Sequence, residues 1–341
     1  MTSEFERIAA FQALFGQGGA ATVALGNGDD GAVLNVDGQL VVTTDALVEG
    51  VDFGPRVPWE AVGHKAVHVN ASDLAAMGTR PLAFVWSVCA PQDFAGWDGL
   101  GRGASAAAHA LGLPCVGGDL SRTSGPLVVS VTALGCVPAG QALTRAGARP
   151  GDTLYVSGAL GGAAAGLRWL MDHPQARADS VGQLLQDVPE TFRAAVAAQV
   201  TPQAQLALGQ ALRGWATACV DVSDGLVQDL CHLLVQSGVG ATLDVAALPR
   251  FEVLQQYPQA DAQHMTLAGG EDFQLLWTAP PTVVGALQGD PGRWTAIGTI
   301  TAQAGLSLGD LHVPQDDVER LHRGVAPQLP AARNLLGWRH F

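Results

Sequence analysis

Ala218-Cys219-Val220-Asp221-Val222-Ser223-Asp224-Gly225-Leu226 is the stretch on which the reading of this chain turns. Ala218 to Asp221 reads as a strand and Asp224 to Gln236 carries helical spacing, so strand passes directly into helix through Asp221-Val222-Ser223-Asp224-Gly225. The spacing predicts that Ser223 caps the helix while Asp221 leaves the strand end. A carboxylate, a hydroxyl and the exposed N–H groups of a helix start then meet at one point, which suits a phosphate together with a metal ion. An ordinary N-cap with an acidic first turn accounts for Ser223 and Asp224 but gives no reason for Asp221.

Outward from this motif the second half keeps alternating. Strand Leu154 to Ser157 is followed by a helix through Leu167, and later come strands Ala241 to Val245 and Asp272 to Thr278, a helix Thr282 to Leu287 and strand Ala296 to Thr301. The first half is strand-rich. Ser3 and Glu6 form a capping box for a helix ending near Gly16. Val33 to Val36 and Leu40 to Thr44 flank Asp37-Gly38, which predicts a hairpin with Asp30 and Asp45 in loops on either side. Pro58 to Met77 reads as a helix on which Ala66, Asn70, Asp73 and Met77 share a face. Strands are expected at Leu82 to Ala90, Pro114 to Val116 and Leu127 to Val137, with a helix from about Trp97 to Leu111. The turn-rich stretch from Pro138 to Gly151 separates two expected domains, 1–138 and 150–341.

Composition narrows the partners. With 341 residues, 48% of them hydrophobic, and 43 glycines, the chain has ample core and many tight turns, as an enzyme-sized globular protein needs. A formal net charge of −13 argues against a duplex nucleic acid or an anionic membrane as partner. Lys65 is the sole lysine, so phosphate recognition would rest on arginines, backbone N–H groups and metal ions. The five cysteines are widely spaced in apolar runs without a C-x-x-C pair, which reads as buried reduced thiols in a cytoplasmic protein. Met1 to Gly19 lacks the basic start and apolar core of an export signal, and Thr123 to Thr144 reads as strand and turn rather than a membrane span.

Carboxylates recur in small-residue settings, at Asp29-Asp30, Asp45, Asp73, Asp119, Asp221, Asp224 and Glu271-Asp272. Two carboxylates about 4 Å apart repel by roughly 4 kcal/mol at an effective dielectric of 20, so several converging aspartates need cations. Mg²⁺ takes one or two carboxylates plus substrate phosphates and waters, which suits dispersed single aspartates. Any one site alone could be an Asx-turn or cap, and Asp29, Asp37 and Asp152 read best that way. The glycine-rich run Gly158 to Gly166 lacks a Gly-Lys-Ser/Thr ending and reads as close helix packing. His64 and His68 have metal-like spacing but no Glu-His signature nearby, so the histidines read as packing or surface residues and no zinc is expected.

In order, Gly28 to Leu34, Thr43 to Gly50, Val69 to Gly78, Gly117-Gly118-Asp119, Leu143 to Asp152, Asp221 to Leu226 and Gly269 to Phe273 form a series that resembles the motifs of the thiamine-monophosphate kinase family over nearly the whole chain. The order carries the resemblance; a single Gly-Gly-Asp would carry none. That family resembles aminoimidazole ribonucleotide synthetase, selenophosphate synthetase and the hydrogenase-maturation protein that dehydrates a carbamoyl group with ATP. The resemblance implies an α/β protein of α+β type. Its N-terminal strand-rich domain would join a second subunit in a dimer-spanning barrel, and its C-terminal α/β domain would pack helices on a sheet. ATP as co-substrate would lie in a long cleft with several Mg²⁺ ions.

Residue by residue, Asp30, Thr43, Thr44, Asp45, Asp73, Asp119, Asp221 and Asp224 match the family's metal positions. Gly118, Asp119, Arg145 and Ser223 match its ATP contacts, and Asp221, Asp224 and Arg145 are expected to serve catalysis. Asp52, Glu271 and Trp338 fall on substrate positions, Trp338 stacking on the thiamine rings. The chain departs from the pattern at Asp52, where histidine is common, at Leu120 in place of threonine, and at Gly162-Ala163 in place of Asp-Ser. The implied reaction moves the γ-phosphoryl of ATP to thiamine monophosphate. An acceptor phosphate with a second pKa near about 6 needs no general base, in keeping with a motif set that has no catalytic histidine. Two alternatives stay open at this level: another ATP-dependent chemistry of the superfamily, and a Mg-ATP sensor without turnover.

Overall fold

The computed structural model describes residues 4–15, 21–27, 31–282 and 294–337. Its first half holds helices α1 (Glu4–Phe15), α2 (Trp59–Ala76) and α3 (Trp97–Leu111). The strands are β1 (Val23–Leu25), β2 (Val33–Leu34), β3 (Gln39–Val48), β4 (Arg80–Ala90), β5 (Cys115–Arg122) and β6 (Val128–Val137). Four of them form a sheet in the order β3-β6-β4-β5, with α2 lying on β3 and β6 and α3 packed against α2. Glycines let the two helix backbones touch. A Cβ on Gly103 would stand 1.7 Å from the Glu60 carbonyl oxygen, and one on Gly63 would stand 2.0 Å from that of Leu100. Deep burial of α2 follows, and with it burial of the polar residues Lys65, His68, Asn70 and Ser72.

The second half holds β7 (Thr153–Val156), α4 (Gly162–Asp172), α5 (Val181–Gln186), α6 (Glu190–Val200), α7 (Leu206–Leu212), β8 (Ala218–Val222) and α8 (Leu226–Ser237). After these come β9 (Gly240–Leu243), α9 (Gln259–Ala268), β10 (Gln274–Ala279), β11 (Thr295–Thr301), β12 (Leu306–Leu308), β13 (Leu311–Val313) and α10 (Gln315–His322). The sheet runs β13-β12-β9-β11-β7-β10-β8; β12 and β9 are parallel and the other neighbours antiparallel. Edge strand β8 meets α2, and one continuous core joins Val67 and Leu74 of α2 with Leu275 and Trp277 of β10. That contact between the halves positions the site.

The structure corrects three expectations. Asp37-Gly38 does not close a hairpin between Val33–Val36 and Leu40–Thr44, because β2 pairs with β1 while β3 pairs along its length with β6. Gly38, at φ +94°, brings the chain against the Val137 carbonyl, so the turn feeds β3 into the larger sheet, where ten residues find partners. Asp45 consequently sits inside β3, not in a loop. Gly117-Gly118-Asp119 is likewise strand, paired with Val85, Trp86 and Ser87 of β4. Within this one chain the four-stranded sheet is open, with β3 and β5 as its edges. The capping Ser3 and most of the expected helix Thr282 to Leu287 lie outside the described residues.

The remaining readings hold to within a residue or two for α2, α3, β4, β6, β7, β8 and β11. Four cysteines are buried, Cys89 is half-buried, and all five are free thiols. Close packing does explain the Gly158 to Gly166 run. A Cβ on Gly162 would meet the Phe251 ring at 2.4 Å, and one on Gly166 the Ala195 carbonyl at 2.2 Å. Among the described residues no helix is long and apolar enough to cross a membrane.

Candidate functional site

Where α2, β3, β8 and the turn before β10 converge, a cleft of about 330 Å³ is lined by Asp45, Asp52, Asp73, Asp221, Ser223, Asp224 and Glu271. Pleat alternation turns Thr43 and Asp45 toward α2. The Thr43 hydroxyl donates to Asp73 Oδ2 at 2.5 Å, and the Asp45 N–H donates to Asn70 Oδ1 at 2.9 Å. Thr44 points the other way, bonded to the Val131 carbonyl oxygen beside Thr132. On α2 the fully buried Ser72 donates to Asp221 Oδ2 at 2.7 Å, tying the first half to the end of β8.

The turn between β8 and α8 is built differently from the sequence expectation. Ser223 is not the helix cap. Gly225 is the N-cap, without a side-chain cap bond, and the carboxylate of Asp229 accepts the N–H groups of Ser223, Asp224 and Gly225 at 3.0, 3.1 and 3.1 Å. One buried carboxylate from the first turn of α8 folds back over the loop, which frees the Ser223 hydroxyl to face the cleft. Only the geometry of the turn reveals Asp229, since an acidic first turn is common in any helix.

The second turn, Gly269 to Phe273, is held in strain. Glu271 at φ 66° and Phe273 at φ 47° are the non-glycine residues with left-handed backbone among those described. Such conformations cost roughly 1–3 kcal/mol each and persist only where the surroundings enforce them. Here the Glu271 and Phe273 N–H groups donate to the carbonyls of Ser223 and Val222, and Asp272 accepts from the N–H groups of Gly161 and Ala163 at the start of α4. Glu271 itself meets Lys65 Nζ at 2.6 Å and the Gln199 amide at 2.6 Å. Lys65 also donates to the Asp52 carbonyl, and the Asp52 carboxylate accepts the Val48 N–H.

Charge is concentrated and poorly solvated. Burial, then the charge of Asp73, pushes the Asp221 carboxyl up to about 7, with the Ser72 hydroxyl and Arg145 opposing. Burial raises Asp73 too, against the Thr43 hydroxyl and Arg145. Asp229 lies well above the usual carboxylate range because of burial and its acidic neighbours Asp224 and Asp221. Arg145, in the turn-rich stretch before β7, acts on Asp73, Asp221 and His232 through its charge, and Ser237 at the end of α8 donates to its carbonyl. His232 is held down to about 4 by burial and by Arg145, and Asp224, Asp229 and His232 bring their ligand-capable atoms within 4.8 Å of one another. His64 and His68 stack at 4.1 Å, His68 being held near 3 by burial.

The cleft thus gathers Asp45, Asp52, Asp73, Asp221, Ser223, Asp224 and Glu271, with Thr43 bonded to Asp73 beside it. It does not gather the Thr44 hydroxyl, which the strand pleat turns to the other face of β3, nor Gly118 and Asp119. The latter two lie on β5, at the far edge of the sheet from β3, beside Asn27 and Trp86, with Asp119 accepting from the Ser121 hydroxyl. Gly118 is required there by packing, since a Cβ would stand 2.5 Å from the Trp86 carbonyl oxygen. Asp30 and Trp338 lie outside the described residues. Sequence reading passed over Asn70, Ser72, Lys65, Gln199 and Asp229 as functional; the signal for the α2 members was a run of polar residues on a helix with no polar face to spare.

A strand-rich half and a mixed-sheet half meeting over an acidic cleft define a class, and family models agree. "AIR synthase related protein, N-terminal domain" matches residues 28–137, and "AIR synthase related protein, C-terminal domain" matches residues 149–310. Thiamine-monophosphate kinase of Salmonella typhimurium is 34% identical over 323 residues, 94% of this chain and 92% of that protein. The Escherichia coli K12 enzyme of that name is 36% identical over 82% of this chain and 85% of its own. The chain belongs to the thiamine-monophosphate kinase family. Its fold resembles the crystal structure of thiamine-monophosphate kinase from Stenotrophomonas maltophilia K279a (TM-score 0.80, 35% identity, 90% of this chain and 96% of that one). It also resembles AaThiL complexed with AMPPCP and TMP (TM-score 0.72, 30% identity, 91% and 94%). An E. coli hydrogenase maturation protein, 19% identical at TM-score 0.67 over 89% of this chain and 92% of that one, shares the fold alone.

Proposed function

We propose that the protein transfers the γ-phosphoryl group of ATP to thiamine monophosphate, giving thiamine diphosphate and ADP, as the last step of thiamine diphosphate synthesis. The observation that carries this reading is the convergence of Asp45, Asp73, Asp221 and Asp224 from three separate elements on one cleft, in a member of this family. An all-oxygen donor set fits a hard cation. The buried Asp221 carboxyl, held near neutrality of charge only by proton uptake, is the kind of group that a cation would relieve. Asp45, Asp73, Asp221 and Asp224, with Thr43 beside them, would hold Mg²⁺; Asp30 and Asp119 complete the expected set, which the Thr44 hydroxyl, turned to the other face of β3, does not join. When bound, Mg²⁺ supplies neutralisation of the phosphate charge.

In the step itself an oxygen of the acceptor phosphate attacks the γ-phosphorus, and the bond to the β,γ-bridging oxygen breaks with ADP as leaving group. The acceptor is largely dianionic at neutral pH, so no protein base is required. Catalysis is then alignment and electrostatic stabilisation, in which Ser223 on the cleft wall and Arg145, expected to approach it, orient phosphate oxygens. Asp52 and Glu271 stand at the acceptor's end, and Trp338 is expected to stack on its rings.

The dimer belongs to the same reading. Leu40 and Val42 on edge strand β3 are about half exposed, and Asp119 on the opposite edge is cut off from the other carboxylates. Closing two open sheets edge to edge into a barrel, β3 of one copy against β5 of the other, would cover both edges and return Asp119 to the cation site. We take 1–138 and 150–341 as the two domains, a division supported by family matches that end at 137 and resume at 149. The free thiols suit a cytoplasmic location.

Incubation with Mg-ATP and thiamine monophosphate, followed by separation of the products, tests the reading. Thiamine diphosphate and ADP are expected in equal amounts, neither forming without acceptor. ADP without thiamine diphosphate would point to another acceptor, and nucleotide binding without turnover to a sensor. Mixed dimers of Asp119→Asn and Asp221→Asn chains test the barrel: partial recovery of activity is expected if each site draws Asp119 from the other copy, and none if it does not.

A further inference from the structure

Two arginines cross between the halves of the chain, in opposite directions. Arg56, just before α2, lies over the Trp169 ring of α4 at 4.7 Å and donates through Nη1 to the His173 carbonyl oxygen at 2.7 Å. Arg177, between α4 and α5, lies over the Trp59 ring at the start of α2 at 3.5 Å, pairs with Glu49 at 2.7 Å and donates to the Val57 carbonyl oxygen. The Val181 N–H adds a bond to the Glu60 carboxylate. Residues 173–181 thus form a strap from the second half fastened across the first. Its ends are anchored, by Leu170 of α4 and Leu184 of α5 in the core, so the strap can lift only between them.

The fastening differs from the rest of the contact between the halves. Where α2 meets β8 and β10 the seam is apolar, with Val67, Leu74, Leu275 and Trp277 in one core. The strap is held instead by rings, an ion pair and carbonyl oxygens, and the Glu49 and Arg177 side chains keep 30% and 17% of their surface. Such polar contacts exchange for water one at a time, whereas parting the apolar seam would expose all of it at once. The strap also borders the site. A cavity of about 260 Å³ is lined by Val57, by Leu170, Met171 and Pro174 at the root of the strap, and by Asp52, which lines the acidic cleft as well. Met171 is 68% exposed, so this wall faces solvent and the strap stands over a side entrance to the cleft. Resting on the kinase reading above, we infer that the strap is a gate: Arg177 latches it over this entrance during phosphoryl transfer, and release of the latch lets thiamine diphosphate leave. Closed, it keeps bulk water from the transfer. The Glu49–Arg177 pair is the weak link, since a part-exposed ion pair contributes little and salt screens it. Arg56, buried on Trp169, is the fastening that stays.

Trypsin reads the latch, because Arg177 must leave Trp59 and Glu49 to enter the protease. With the chain alone, cleavage after Arg177 should be roughly five-fold faster in Glu49→Gln than in the parent, tracking the open population. Raised salt should speed cleavage of the parent and leave the variant, which lacks the ion pair, nearly unmoved. Release of bound thiamine diphosphate, followed by chase with unlabelled ligand, should be several-fold faster in E49Q, while single-turnover transfer from Mg-ATP stays within about two-fold of the parent. A strap that only braces the fold would slow transfer and leave release alone. Arg177→Gln also removes the contact with Trp59 and should release product at least as fast, so the test survives if E49Q fails to fold. Cleavage unchanged in E49Q, or release unchanged in both variants, overturns the gate. A parent chain that makes no thiamine diphosphate fails the kinase reading, and the cleavage comparison, which uses no substrate, then decides the latch by itself.

Discussion

Asp221→Asn should make the cation-free protein more stable while removing its use of Mg-ATP. In the folded chain the Asp221 carboxyl titrates near 7 rather than 3.8, because it is buried beside Asp73. The folded state therefore binds more protons than the unfolded state between these values, and stability falls as pH rises from about 4 to about 7. At about 1.36 kcal/mol per pKa unit, the ionised form costs the fold roughly 4 kcal/mol at pH 7.5 and roughly 2 kcal/mol at pH 5. Asparagine removes the charge and keeps an oxygen to accept the Ser72 hydroxyl. Scanning fluorimetry in EDTA at pH 7.5 should show the variant melting roughly 5–8 °C higher, with the gap about halved at pH 5. Added Mg²⁺ should raise the melting temperature of the parent and leave that of the variant nearly unmoved. A variant that melts at or below the parent at pH 7.5, with its Mg²⁺ response intact, would refute the reasoning.

Lys65→Met leaves the Glu271 carboxylate without its cation and should cost roughly 3 kcal/mol in urea unfolding, with Lys65→Arg recovering part of the loss. Asp229→Ala strips the acceptor from three backbone N–H groups of the Ser223 turn. A loss of roughly 3 kcal/mol is expected, along with weaker nucleotide binding by calorimetry. Gly166→Ala forces a Cβ to within 2.2 Å of the Ala195 carbonyl, so α4 and α6 must separate at a cost of roughly 1–3 kcal/mol, read as a lower denaturation midpoint.

Much of this protein was legible in its residues because the relevant signals are local. Period and turn chemistry located α2, α3, β4, β6 and the passage from β8 to α8, and the ordered carboxylate motifs marked most of the cleft. The misreadings share one cause. Asp37-Gly38 is a good hairpin turn in isolation, but β3 gains a ten-residue ladder by pairing with β6 instead, and no local signal reports a partner so far along the chain. Helices α5, α6, α7, α9 and α10 were passed over because short, alanine- and glutamine-rich segments derive their stability from what they pack against more than from their own pattern.

The same division runs through the site. By itself the sequence determined which residues bear charge, where glycine permits close approach, and that several aspartates stand in settings where packing gives them no purpose. Tertiary structure alone decided which of those aspartates meet. Burial of α2 between the two halves sets Asp73 and Ser72 against Asp221, the β8–α8 turn folds back onto Asp229, the strained turn before β10 brings Glu271 to Lys65 and Gln199, and the strand order leaves Asp119 at the far sheet edge. Charge is a property of each residue, but its energy depends on distance and on the water that burial removes, and neither exists until the chain has folded.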